Sequence, residues 1–124
     1  MIAPTYNFAI EQGATGGFTL KVYTDETQST VRNLTGYSAR LMVRKNYTHP
    51  LVALSLSTPA SGIIIVPLDG EIQVRWEAVQ SAAIAAGKYV ADLEIFKTVG
   101  EVVEVEKMFR SDFGGVEVIP EVVK

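Results

Sequence analysis

The chain has 124 residues, 48% apolar and 20% charged, with a net charge of −3 and no cysteine. That is the length of one domain, residues 1–124, able to bury a core without metal or disulfide support. The cysteine-free composition excludes disulfides, thiolate nucleophiles and Cys-based zinc sites. The acidic balance, without any Lys/Arg run, lacks the footprint of a nucleic-acid binder, and no apolar run approaches the ~20 residues that span a bilayer. Neither nucleic acid nor membrane is therefore expected as a partner. The opening MIAPTYNFAIEQG has no basic segment ahead of an apolar core, so a secretory signal is not expected.

Along the chain the governing signal is alternation with a period of two between turn residues. Tyr6, Phe8 and Ile10 share one side of a first strand. The stretch Gly13-Ala14-Thr15-Gly16-Gly17 then bends into a second, with Phe18, Leu20 and Val22 inward and Thr19 and Lys21 outward. Asp25 to Thr30 reads as a polar loop and Asn33 to Tyr37 as a turn. Ala39, Leu41 and Val43 alternate with Arg40, Met42 and Arg44 in a half-buried strand. Asn46 to Pro50 is a loop, and Val52, Leu54 and Leu56 make a short strand.

Ile63-Ile64-Ile65-Val66 is wholly apolar and suits a central strand. Asp69-Gly70 marks a tight turn into Ile72, Val74 and Trp76, so Ile63–Val66 and Ile72–Trp76 form a hairpin with Trp76 in the core. The alanine-rich segment 77–86 is expected to be one short helix across an end of the sheets. Its inner face would carry Val79, Ala82, Ala83 and Ala86, with Gly87 as a left-handed cap. Alternation resumes at Tyr89, Ala91, Leu93 and Ile95, turns at Gly100, and continues through Val103 and Val105 to Phe109. Gly114-Gly115 leads into Val116 and Val118, closed by Pro120, and the tail 121–124 frays or docks on a neighbour. About eight or nine short strands with a single helix indicate an all-β antiparallel sandwich, since one helix cannot supply the crossovers of a parallel sheet.

No residue pattern identifies a catalytic, cofactor-binding or metal site. The glycine cluster does not match G-x-x-x-x-G-K-[ST], because the sixth place from Gly13 is Phe18 and a strand, not a helix, follows. Glycine there reads as a bend that needs positive φ. His49, the sole histidine, lies in the polar loop Tyr47-Thr48-His49-Pro50 with no H-E-x-x-H spacing and reads as solvated. Asp69 with Glu71, and Asp92 with Glu94, are the carboxylate pairs that glycoside hydrolysis would require. The first pair reads as hairpin punctuation and the second as the wet half of a strand, as do Glu101, Glu104, Glu106 and Glu117. Asn33-Leu34-Thr35 and Asn46-Tyr47-Thr48 match the glycosylation sequon. Arg40, Arg44, Lys45 and Tyr47 read as the solvated face of one strand rather than a basic-aromatic site.

Four segments together carry a resemblance. They are Tyr6 to Thr15, Asn33 to Arg44, the alanine-rich turn followed by Gly87-Lys88-Tyr89-Val90-Ala91-Asp92-Leu93-Glu94, and Gly115 to Val122. In order and over nearly the whole chain, they resemble small tailed-bacteriophage proteins similar to the amino-terminal domain of phage baseplate upper proteins. The glycine pair before Phe18 is a departure from that pattern. The resemblance implies an immunoglobulin-like sandwich and a non-enzymatic virion component, made in the host bacterial cytoplasm. Its partners would be other phage structural proteins: tail, baseplate, fibre or capsid subunits. It would be a homo-oligomer or sit in repeated copies by symmetry, joining fibres or spikes to the tail, baseplate or neck. The alternatives are a capsid decoration protein on the head and, from another class, a carbohydrate-binding module. No site residues and no cofactor are carried over.

Overall fold

A computed structural model describes residues 5–24, 30–48, 51–58 and 61–121. Among the described residues nine strands form two sheets, the expected all-β sandwich. The strands are β1 (Phe8–Glu11), β2 (Gly16–Lys21), β3 (Ser38–Arg44), β4 (Val52–Ser57), β5 (Ile63–Val66), β6 (Glu71–Trp76), β7 (Gly87–Val99), β8 (Val102–Arg110) and β9 (Val116–Ile119). The larger sheet runs β1-β9-β7-β3-β4, with β8 also on β7, and the smaller runs β2-β6-β5. All strand pairs are antiparallel except β1 with β9, which are parallel. The loop from Asp25 and the loop at His49-Pro50 fall largely outside the described residues, as does the tail beyond Glu121.

Alternation places the core as expected. Ala39, Leu41 and Val43 on β3 are fully buried, as are Leu93 and Ile95 on β7. They face Ile72, Val74 and Trp76 on β6, which are at most 3% exposed. Side chains from two pleated faces meet across about 10 Å, the ordinary spacing of packed sheets.

Four expectations change. First, the glycine bend forms, as a crossing between sheets because β1 pairs β9 while β2 pairs β6, but not all of its glycines are there for positive φ. Only Gly13 there has positive φ, at 76°. Gly16 and Gly17 lie within β2 and serve close approach: a Cβ on Gly16 would sit 2.7 Å from the Trp76 indole nitrogen, and one on Gly17 would sit 2.0 Å from the Val74 carbonyl oxygen. Second, the apolar run Ile63–Val66 is an edge strand, paired to β6 alone, and Ile64 is 56% exposed. The hairpin itself forms, with Val66 opposite Glu71 across a 3-10 turn at Pro67–Asp69 and Gly70 at φ 61°.

Third, the helix is shorter than 77–86. α1 covers Ala78–Ala82, begins where the Glu77 amide donates to Gln80 Oε1 at 2.8 Å, and is capped by Ala83. Val79 is 77% exposed, whereas Ser81 and Ile84 are buried. Gly87 opens β7 instead of capping a helix. Ten helical residues would run about 15 Å, longer than the roughly 10 Å gap between stacked sheets, and among several alanines Ile84 is the large side chain that pulls the segment inward. Ser81 Oγ donates to the Ala14 carbonyl at 2.8 Å and Gln12 Nε2 to the Ile84 carbonyl at 2.7 Å, tying this crossing to the β1–β2 crossing.

Fourth, Val103 and Val105 do not share a face with Phe109. Leu93 pairs Phe109 while Glu94 pairs Lys107, so Met108 is an extra residue on β8. One inserted residue inverts the faces on either side of it. Phe109 therefore enters the core at 1% exposure, and Val103 and Val105 fall on the opposite face of the ribbon, with Glu94 and Phe96.

Candidate functional site

Two surface features arise from the β7–β8 hairpin. The first is an arm. β3 accompanies β7 only as far as Phe96, so beyond that residue β7 has β8 alone beside it. The ribbon turns through the two residues Gly100-Glu101, with Val99 opposite Val102 and Gly100 at φ 63°. Every residue from Thr98 to Lys107 is exposed, including Val99, Val102, Val103 and Val105. A two-stranded ribbon is marginal in water by itself, and this one is stapled at its root. Arg32 reaches Glu106 at 2.8 Å and donates to the Tyr37 hydroxyl at 2.9 Å, while Lys97 Nζ lies 4.8 Å from the Tyr37 ring centre. The Arg32 hydrogen bond outweighs burial and holds the Glu106 carboxyl below the usual carboxylate range.

The second feature is a charged depression of about 440 Å³ on the outer face of the larger sheet. Arg40, Met42 and Arg44 from β3 meet Asp92 and Glu94 from β7 and Lys107 from β8, with Tyr47 at one side. Glu94 was expected to be solvated, yet its side chain is only 10% exposed. It accepts from Arg40 Nε and, at 2.5 Å, from Lys107 Nζ. Burial alone would raise its pKa, but these two cations win and hold it below the ordinary glutamate value. Burial likewise disfavours the charged Lys107, but the Glu94 hydrogen bond and the Asp92 charge raise its pKa overall. Lys107 is shared with Asp92, which also meets Arg110 at 3.3 Å. The position is outward by alternation, but β7 is central, so neighbours on both sides cover it. A carboxylate kept ionised in this way is the opposite of the proton donor that glycoside cleavage needs.

A stability prediction follows. A depressed folded pKa contributes stability above the unfolded value, about 4.3 for Glu, and that contribution is lost as pH falls through the lower folded value. Glu94→Gln is expected to cost about 2 kcal/mol near neutral pH, less than a fully buried pair would, because Arg40 and Lys107 remain 43% and 46% exposed. Urea melts should show the gap between variant and wild type closing below about pH 4; a gap that stays constant into acid would contradict the ion-pair account.

The other singled-out residues are dispersed. Glu71 accepts from Gln73 Nε2 at 2.8 Å, and Asp69 ends the exposed 3-10 turn. Glu117 meets Lys88 at 3.4 Å, while Glu101 and Glu104 are exposed on the arm. His49 lies outside the described residues. Both sequons are turns in which Asn33 Oδ1 and Asn46 Oδ1 accept from the amides of Thr35 and Thr48, at 2.9 and 3.1 Å. Trp76 is in the core, its ring 5.9 Å from that of Phe8. Arg40 lies over Phe96 and Lys45 over Tyr89, so the basic stretch is divided between two aromatic partners. Arg110 stacks on Tyr47 at 4.6 Å, and Tyr47 meets Phe113 edge-on at 6.0 Å. That ledge was not legible, since Phe113 and Arg110 are far from Tyr47 in sequence. Among the described residues no three His, Asp or Glu side chains converge as a metal site, and no helix is long and apolar enough to cross a membrane.

Fold and site together define an all-β sandwich that carries a protruding hairpin beside a charged, aromatic-rimmed depression. No family model matches the chain, and comparison with curated proteins finds no match.

Proposed function

We propose that this protein is a non-enzymatic structural component of a tailed-phage virion, placed at the tail, baseplate or neck, where it joins fibres or spikes to the particle. The observation that carries the reading is the arm. Its four exposed valines add nothing to the core, and a ribbon of that kind is stabilised when a partner covers it. The exposed side of β8 also offers backbone groups for strand addition. The segment-by-segment resemblance to baseplate-type phage proteins supplies the setting. Repetition by symmetry would then turn modest contacts into firm attachment.

The test replaces Thr98–Val103 with an Asn-Gly turn joining Lys97 to Glu104, which face each other across the ribbon. The shortened protein is expected to keep the fold, read by circular dichroism and urea melts. It should be lost from purified particles produced from the genome that encodes it, read by mass spectrometry. In an electron-microscopy map of the intact particle, the wild-type chain should occupy tail or baseplate density. Its absence from the particle would sink the proposal, and density on the head would replace it with a decoration role.

A further inference from the structure

The arm and the ledge beside the depression are opposite in character. The arm presents Val99, Val102 and Val103 with the exposed carboxylates Glu101 and Glu104. The ledge presents Arg44, Tyr47, Arg110 and Phe113, with Met42 behind them in the depression. Arg, Tyr, Phe and Met are the residues enriched where protein surfaces meet. Phe113 is 83% exposed although its ring neighbour Tyr47 is partly buried, its hydroxyl donating to the Ser111 carbonyl at 2.5 Å. Arg110 pairs with Asp92 at 3.3 Å, but the four cations Arg40, Arg44, Lys107 and Arg110 outnumber the two carboxylates Asp92 and Glu94, so the ledge and its depression are net positive and apolar-rimmed, whereas the arm is acidic and apolar. Both belong to one chain.

We infer that the arm of one copy docks on the ledge of a second copy, joining copies head to tail. This rests on the assembly role proposed above and names its partner as the same chain. Strand pairing of β8 with a second β8 would use the arm but not the ledge, so it is told apart by the ledge variants; centred on Val105 it would also set Glu104 opposite Glu106, where like charges repel. In arm-to-ledge contact the charges are complementary instead. Two different surfaces meeting make a heterologous contact, which closes into a ring or extends as a filament. A single such contact falls at the small end of interface sizes, so it is weak until closure multiplies it.

Sedimentation velocity of the full chain up to about 1 mM, the range of weak contacts, tests this. Wild type is expected to show a mass above the 13.5 kDa monomer that rises with concentration. Glu101→Lys with Glu104→Lys, or Arg44→Glu with Arg110→Glu, should each weaken association at least about tenfold, as like charges replace opposite ones. All four changes in one chain should restore it, and so should mixing the two double variants, since each arm then finds a ledge of opposite charge and the copies alternate. Phe113→Ser, which leaves the fold untouched because the side chain is exposed, should weaken association without any change in charge. Wild type that stays monomeric, or association indifferent to both the arm and the ledge changes, would overturn the inference. If that monomer still enters particles, the structural role stands and only the self-docking fails.

Discussion

Phe109→Ala is expected to cost about 4 kcal/mol, the usual loss when a buried phenylalanine is cut back to a methyl group. Phe109 is 1% exposed, and its ring centre lies 5.0 Å from Tyr6, 5.7 Å from Phe18 and 6.4 Å from Phe8. These rings come from both sheets and from the segment leading into β1, so no single neighbour can move in to fill the space. Domains of this size are stable by roughly 5–15 kcal/mol, so the variant should be near unfolding at moderate urea. The readout is the urea midpoint at unchanged slope. The paired control is Phe113→Ala, 83% exposed and expected to stay within about 0.5 kcal/mol of wild type. Similar losses at the two positions would mean that the Met108 bulge is misplaced and that Phe109 does not face the core.

Gly17→Ala gives the second large effect, and its sign is the informative part. Glycine inside a regular element ordinarily costs about 0.5–1 kcal/mol relative to alanine, so propensity alone says the change stabilises. The geometry says otherwise. The added carbon would lie 2.0 Å from the Val74 carbonyl oxygen and 3.0 Å from the Arg75 Cα, both backbone atoms of the partner strand β6. Gly17 and Arg75 are directly opposed in the ladder, so relief requires the two strands to part. A loss of about 2–3 kcal/mol is expected, in the range of overpacked cores. Gly36→Ala separates the two causes. Gly36 has φ 86° and nothing within 4 Å of the added carbon, so it should lose only the roughly 1–2 kcal/mol of left-handed strain. A stabilised Gly17→Ala would refute the close approach of β2 to β6.

The glycine cluster shows how far local reading goes. Its failure to match a phosphate loop was legible, because a strand pattern follows Phe18. That Gly16 and Gly17 are there for closeness to Trp76 and β6 was not, since the sequence shows no partner strand. Ile63–Val66 misled for the same reason: an apolar run says that a strand is buried on one side at least, not whether a second strand lies beyond it. Glu94 was placed on the outward face correctly. Its burial depends on Arg40 and Lys107, which reach it from β3 and β8.

What the residues settle unaided is the set of ribbons, their apolar faces, the Ile63–Trp76 hairpin and the core position of Trp76. Period-two alternation and turn chemistry are properties of neighbours along the chain, so they survive without knowledge of the fold. What only the folded molecule decided is the assignment of β1 and β2 to different sheets, the five-residue length of α1 and the face of β8 that turns inward. Each depends on register and spacing between segments distant in sequence. A single extra residue, Met108, is enough to send Phe109 into the core and put it on the face opposite Val103 and Val105.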